Sequence, residues 1–275
     1  MSTPTPDSTP TAATYPAAAD ERWAAHTWQI IAEAPVAPAM NLALDEVLTK
    51  AVGRGTRGPT LRVWGWAAPC VVLGRFQSVR NEVYEEKAAE LGVQLVRRIS
   101  GGGAMFIEPG LAITWSLHVP PAFVEGLSFG ESYALLDSWA VRALRSLGVD
   151  AWYAPLNDIT STGGKIGGAA QARRFGAVLH HTTMAYDMSM QNMLQVLRIG
   201  KEKLSDKGVR SADRRVGPLR QQTQMPREEI VRHMLEQFSV LAPSVPGAVT
   251  AEEWAEAEAL VSEKFATNAW TWLLP

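Results

Sequence analysis

The sequence predicts an α/β (α+β) chain. Short runs rich in β-branched and aromatic residues recur between segments whose apolar residues return every three to four positions, and glycines and prolines mark the boundaries. Trp28 to Glu33 reads as a first strand, broken by Pro35 and Pro38. Met40 to Ala51 sets Met40, Leu44, Val47, Leu48 and Ala51 on one helical face, with Asn41 as the candidate cap and packing on a sheet as the expected role. Thr60 to Gly65 and Cys70 to Gly74 are β-rich runs either side of Trp66 to Pro69, the form of a hairpin. Glu82 to Leu91 is a charged amphipathic helix, and Val93 to Val96 and Ala112 to Val119 are strands. Ser132 to Leu147 is an apolar-faced helix that Gly148 is placed to terminate. Ala177 to Asp187 is another strand. Glu228 to Leu241 turns Ile230, Val231, Met234, Leu235 and Phe238 inward, and Thr250-Ala-Glu-Glu-Trp opens a last helix to about Phe265 with a capping box.

With 275 residues, 47% of them hydrophobic, the chain has enough material for one large domain. Residues 1–20 are mostly Ser, Thr, Pro and Ala, too poor in large apolar groups to offset their ordering entropy, so a disordered tail is expected. The tail lacks the basic start and apolar core of a signal peptide. Residues 21–275 are expected to form the globular part, with no separate accessory domain. A net charge of −2 argues against nucleic acid as a partner, and no apolar run approaches the ~18 residues of a membrane span. The one cysteine, Cys70, permits no intrachain disulfide and no paired-cysteine metal site, which fits a reducing, cytoplasmic setting. No surface stripe calls for pairing, so a monomer is expected.

Chemistry concentrates in Arg97 to Gly110, Arg-Arg-Ile-Ser-Gly-Gly-Gly-Ala-Met-Phe-Ile-Glu-Pro-Gly. Gly101, Gly102 and Gly103 remove every Cβ that would hold a ligand off the backbone and permit φ > 0, so successive N–H groups can turn toward one anion. Arg97 and Arg98 add positive charge. The loop suits a phosphate, a carboxylate or an acyl phosphate, and it equally fits a glycine-rich hairpin between two strands. No Gly-Lys-Ser/Thr ending follows, and the glycine spacing is not that of a dinucleotide fold. Arg75 and Gln77 follow a strand end, where polar groups often face a ligand. Lys165 sits among Gly163, Gly164, Gly167 and Gly168, where it can be approached closely and can meet a carboxylate; a hairpin tip explains the same residues. Asp158 is a candidate for a divalent cation or for pairing with that lysine. His180 and His181 point to opposite faces of their strand and cannot share a metal, so one of them packs in the core. Lys201, Lys203, Lys207, Arg210, Arg214 and Arg215 form a basic cluster, either a cover for phosphates or a solvated surface.

Taken together, Arg97-Arg98-x-Ser100-Gly101-Gly102-Gly103-Ala104, Asn157-Asp158, Gly164-Lys165-Ile166-Gly167-Gly168-Ala169, the His180-His181 strand and Lys207-Gly208-x-x-Ser211 resemble the lipoate-protein ligase family, as do Met40 to Glu46 and Leu73-Gly74-Arg75. The resemblance runs from about Trp28 to Trp272. It implies the fold shared by biotin and lipoate ligases and octanoyl transferases, a mixed β-sheet flanked by helices. The activity it implies is ATP-dependent: lipoate or octanoate is activated to an acyl-AMP, and the acyl group passes to a lysine of an apo lipoyl carrier protein or domain. Lys165 matches the catalytic lysine. Arg75, Arg97, Arg98, Ser100 and 101–104 match the loop around the acyl and adenylate pocket. Asn157 and Asp158 match the adenylate and Mg2+ side, Asp158 as the metal ligand. Gly167, Gly168, Ala169 and His181 are expected in the pocket wall, and Lys207 in a segment covering the adenylate. ATP, Mg2+ and lipoate are the cofactors and substrate implied, and a separate accessory subunit is a possible partner.

Two departures bear on specificity. Met105-Phe106-Ile107-Glu108 stands where many members have Val-Phe-His-Asp, and no accessory domain is expected after Trp272, where longer ligases continue into one. The rival from the same fold is an ATP-independent octanoyl or lipoyl transferase between carriers. Some branches of it use a cysteine near the position of Asn157 and Asp158, which this chain lacks. The Gly-Arg-Gly-Arg-x-Gly-Arg loop of biotin ligases is absent. A binding protein that keeps the pocket without turnover is the non-enzymatic reading, against which the joint presence of Lys165, Asn157 and Asp158 argues.

Overall fold

In the computed structural model, residues 18–198 and 216–275 are described. Residues 1–17 of the expected tail lie outside that range, as do Lys207 and the rest of the basic cluster. Residues 18–20, assigned to the tail by composition, open a helix, α1 (Ala18–Ala24).

Eleven strands among the described residues fall into two sheets. In chain order, β1 (Trp28–Ala32), α2 (Pro38–Gly53) and β2 (Thr60–Trp64) come first, followed by β3 (Cys70–Leu73), α3 (Val79–Glu82), α4 (Glu85–Glu90), β4 (Gln94–Arg97) and β5 (Met105–Ile107). Then come β6 (Ala112–Val119), α5 (Phe129–Ser146), β7 (Ala151–Ala154), β8 (Asp158–Ser161), β9 (Gly164–Arg174), β10 (Ala177–Ala185) and α6 (Met190–Val196). The chain finishes with α7 (Leu219–Thr223), α8 (Arg227–Leu241), β11 (Ser244–Pro246), α9 (Ala251–Leu260) and α10 (Asn268–Thr271). The larger sheet is mixed and eight-stranded, in the order β11-β1-β2-β6-β10-β9-β8-β7; the smaller has the order β4-β3-β5.

Helices cover both faces of the large sheet, which is why all eight residues of β6 are buried instead of alternating. On one face α1, α5 and α8 meet the sheet around Trp23, Trp28, Trp115, Trp139 and Phe238. On the other, α2 and α9 pack over Ile31, Trp64 and Leu179 through Leu44, Leu48 and Ala257. Two expectations at helix ends hold: Gly148 has φ 83° just past α5, and Thr250 with Glu253 closes the capping box of α9, which continues through a π turn over Val261–Phe265. Among the described residues no helix is long and apolar enough to cross a membrane.

Four local expectations are corrected. The runs at 60–65 and 70–74 are not a hairpin: β2 pairs with β1 and β6 in the large sheet, whereas β3 lies between β4 and β5 in the small one. Residues 66–69 carry the chain from one sheet to the other. Asn41 is not a cap, because α2 begins earlier, with Pro38 in its first turn. Its buried amide instead donates to the Gly65 carbonyl (2.8 Å) and accepts from Arg62 (2.9 Å). The helix expected over 82–91 is divided, since Val83 is extended, buried and bridged to Leu197. The glycine loop joins β4 to β5, but those strands do not pair with each other, because β3 separates them. A loop spanning a strand is held by something other than hairpin hydrogen bonds.

Candidate active site

That something is Arg98. Its buried guanidinium donates to the carbonyls of Gly101 (2.5 Å), Gly103 (2.9 Å) and Val72 (3.2 Å), and to Ser100 Oγ (3.1 Å). Burial lowers its pKa to about 10, so it stays charged near neutrality. Arg98 therefore fixes the loop from behind. With the carbonyls drawn inward, the N–H groups of 101–104 form no hydrogen bond among the described residues. Gly74 backs this loop, and a Cβ there would collide with the Gly102 carbonyl oxygen.

Lys165 is the second residue of β9, just past the tight β8–β9 connection. Asp158 is paired in register with Gly168. Lys165 folds along the strand and places Nζ 2.7 Å from Asp158 Oδ1, against Gly168, where a Cβ would just touch that Nζ at 3.4 Å. Asn157 is pinned beside them, donating from Nδ2 to the Ala169 carbonyl (2.6 Å) and accepting the Ala169 N–H (2.8 Å).

Two adjoining clefts share Lys165, Gly168, Thr183, Ala104 and Met105. The first, about 620 Å³ with its open mouth included, has an apolar wall of Leu42, Trp64, Trp66 and Val72 and is also lined by Arg98, Asn157 and His181. The second, about 820 Å³ on the same basis, is lined by Phe106, Ile166, Met184, Met188 and Met193. The apolar segment 105–108 lines this second cleft, and Glu108 accepts from Asn192 Nδ2 (2.8 Å) and the Ser189 N–H (3.2 Å) at the start of α6. Lys165 thus stands where two substrates could meet.

The structure assembles most of the expected residues here: Lys165, Asn157, Asp158, Arg98, 102–104, Gly167, Gly168, Ala169 and His181 lie in or against the two clefts. Arg97 and Arg75 do not. Arg97 is fully buried on the far side of its strand, among the carbonyls of Gly74, Gln77 and Thr271, and Arg75 stacks over Trp270 at 4.5 Å. Ser100 and Gly101 line neither cleft. Ser100 sits behind His181, with Oγ 2.6 Å from Nε2. Asp158, expected as a Mg2+ ligand, has the Lys165 ammonium as its partner, and among the described residues no group of three His, Cys, Asp or Glu side chains could hold a metal ion.

Asp45 lies in the Met40 to Glu46 stretch that carries the resemblance, but the sequence reading gave it no role. It sits on α2, where an acid amid Leu42, Ala43, Leu44, Val47 and Leu48 was the available signal. Burial works against its charge, but the hydrogen bond from His181 and the neighbouring His118 and Arg62 hold its carboxyl below the usual range. His180 faces the other way and bonds Asp137 at 2.9 Å, so the two histidines part as strand alternation requires. His118, fully buried, has Nδ1 3.0 Å from Thr49 Oγ, and burial lowers its pKa to about 4. An unfolded histidine titrates near 6.5, so as pH falls from about 6.5 to 4 the unfolded chain takes up a proton that the folded chain refuses. Stability is expected to fall by roughly 3 kcal/mol over that interval. Urea unfolding at stepped pH checks this, with His118→Gln expected to flatten the slope.

Residues 37–239 match the lipoyl protein ligase A/B catalytic domain. The chain belongs to that family. Among its relatives, the octanoyltransferase LipM of Kyrpidia tusciae is 29% identical over 274 residues, covering 90% of this chain and 98% of that one. The lipoate-protein ligase LplJ of Bacillus subtilis is 27% identical over 242 residues, covering 86% of this chain and 70% of that one. A bipartite lipoate protein ligase of Thermoplasma acidophilum, solved in a study of an archaeal lipoylation system and its E2 lipoyl domain, superposes with a TM-score of 0.80 at 26% identity, over 91% of this chain and 98% of that one. The mixed sheet flanked by helices expected from the resemblance is therefore the fold of this family.

The expectation of an ATP-dependent ligase forming an acyl adenylate is overturned by the octanoyltransferases, which match this chain along nearly their whole length. The physical reason for the misreading is plain. A lysine beside a glycine loop stabilises charge in acyl transfer however the acyl group was activated, so those motifs do not distinguish a ligase from a transferase.

Proposed function

We propose that this protein is an ATP-independent acyltransferase that moves an octanoyl or lipoyl group from one carrier protein to a lysine of an apo lipoyl carrier domain. The observation that carries the proposal is Lys165 at the junction of two clefts, one with an apolar wall suited to a medium-length acyl chain, in a chain whose relatives include octanoyltransferases. The donor is taken to be a carrier thioester, which needs no further activation. The acceptor amine attacks the acyl carbonyl, the Lys165 ammonium steadies the developing oxyanion, and the free N–H groups of the cleft-lining residues 102–104 can add to it. A C–N bond forms, the C–S bond breaks, and the proton lost by the amine ends on the departing thiolate. The E2 lipoyl domain studied with the Thermoplasma relative supports a carrier domain as partner.

No cysteine step is included. Cys70 is buried within β3, and burial pushes its thiol well above the ordinary range. Cys70→Ala is expected to transfer with unchanged kcat/KM; loss of turnover with retained fold would place a covalent step on that thiol. The function itself is tested by mixing purified protein, an octanoyl-loaded carrier and an apo lipoyl domain without ATP, and reading the acceptor lysine by mass spectrometry. Octanoylation is expected. Product that forms only from free octanoate and ATP would refute the proposal, as would none in any arm, including one with an added accessory polypeptide.

A further inference from the structure

Behind the first cleft one line of hydrogen bonds runs from the glycine loop to α2. Arg98 Nε donates to Ser100 Oγ (3.1 Å), Ser100 Oγ lies 2.6 Å from His181 Nε2, and His181 Nδ1 lies 2.8 Å from Asp45 Oδ2. Asp45 Oδ1 accepts from Ser116 Oγ (2.7 Å), with Arg62 at 3.7 Å. The Ser100, His181 and Asp45 spacings are those of a nucleophilic triad. Accessibility excludes that role: Ser100 is 1% exposed, lines neither cleft, and its oxygen already receives the Arg98 N–H. Of the three triad-like residues, His181 alone reaches the cleft.

We infer that Asp45 is a positioning residue for acyl transfer, acting through His181 and Ser100 on the Arg98 guanidinium that holds the glycine loop. An ionised carboxylate only accepts, so it keeps the imidazole proton on Nδ1. Nε2 is then bare and takes the Ser100 hydroxyl proton, which turns the Ser100 lone pairs toward Arg98. One proton arrangement satisfies all four groups. An asparagine at 45 can offer an N–H to Nδ1 instead. The imidazole proton then moves to Nε2 and takes one of the two Ser100 lone pairs, the buried Ser100 hydroxyl proton loses its acceptor, and the oxygen must turn to share its other lone pair with Arg98, which loosens one fixed point of the guanidinium.

The inference rests on the acyl-transfer reading for its rate effect, but its tautomer and loop readouts do not. In the full chain, ¹⁵N-histidine NMR is expected to show His181 protonated on Nδ1, and Asp45→Asn to move the proton to Nε2 and speed hydrogen exchange at the Arg75 amide, which the Ser100 carbonyl at the base of the loop accepts (2.8 Å). Octanoyl transfer by Asp45→Asn and by Ser100→Ala is expected to fall on the order of tenfold to a hundredfold in kcat, with the KM for the carrier unchanged. The double variant should be no slower than the slower single one, because both cut the same line. Thermal melts establish that each variant is folded; if Asp45→Asn is not, the wild-type tautomer and Ser100→Ala still decide. An Nε2–H imidazole in the wild type would overturn the inference, as would additive losses, or an acyl group trapped on Ser100. A wild type that transfers nothing but shows the expected tautomer and exchange would sink the transferase reading and leave the positioning of the loop standing.

Discussion

Lys165→Ala is expected to lower octanoyl transfer by roughly 10²- to 10³-fold in kcat while leaving the melting temperature in place. The rate effect follows from position. The ammonium, paired with Asp158, stands between the two clefts, and of the arginines beside the loop Arg98 is committed to the loop carbonyls and Arg97 faces the other way. The absence of a stability effect follows from exposure. Lys165 and Asp158 side chains are 45% and 33% exposed, so their ion pair is screened and contributes at most about 1 kcal/mol. Lys165→Arg is not expected to rescue, since a planar guanidinium cannot take the place of a compact ammonium beside Gly168. Steady-state kinetics alongside a thermal melt would decide; a Lys165→Ala enzyme at wild-type speed removes the lysine from the mechanism.

How far the sequence carried depends on whether a residue's role is set by its neighbours in the chain or by distant ones. Lys165 was legible because its own strand supplies the small residues that make room for it. The face of α2 was legible from its period, but the importance of Asp45 was not, because its partners His181 and Ser116 come from β10 and β6. The crossing at 66–69 looked like a hairpin because β2 finds its pairing partner in β6, about fifty residues on, and nothing local announces that. Arg97 and Arg98 are the instructive pair. Both were read as ligands for their charge, yet successive strand residues face opposite ways, the same alternation that separated His180 from His181. Applied to the arginines, it would have allowed only one of them near the cleft.

Arg97 supplies the converse prediction: Arg97→Met is expected to cost stability and spare the chemistry. The side chain is fully buried and donates to the carbonyls of Gly74 (2.9 Å), Gln77 (2.7 Å) and Thr271 (2.7 Å), while Trp270 Nε1 donates back to the Arg97 carbonyl (2.7 Å). It therefore ties α10 to the turn after β3, and that turn backs the glycine loop at Gly74. Methionine fills much of the space but leaves several buried carbonyls without a donor, at about 1 to 3 kcal/mol each, and relief of the buried cation's own desolvation offsets part of this. A net loss of roughly 3 kcal/mol lowers the melting temperature of a chain this size by about 6 to 12 °C. At low temperature, where the variant is still folded, transfer per folded molecule should stay near wild type, since no atom of Arg97 lines either cleft. The two substitutions therefore make a crossed pair, one losing rate at constant melting temperature and the other losing melting temperature at nearly constant rate. Were Arg97 a substrate ligand, as its charge beside the glycines first implied, its variant would instead follow Lys165→Ala.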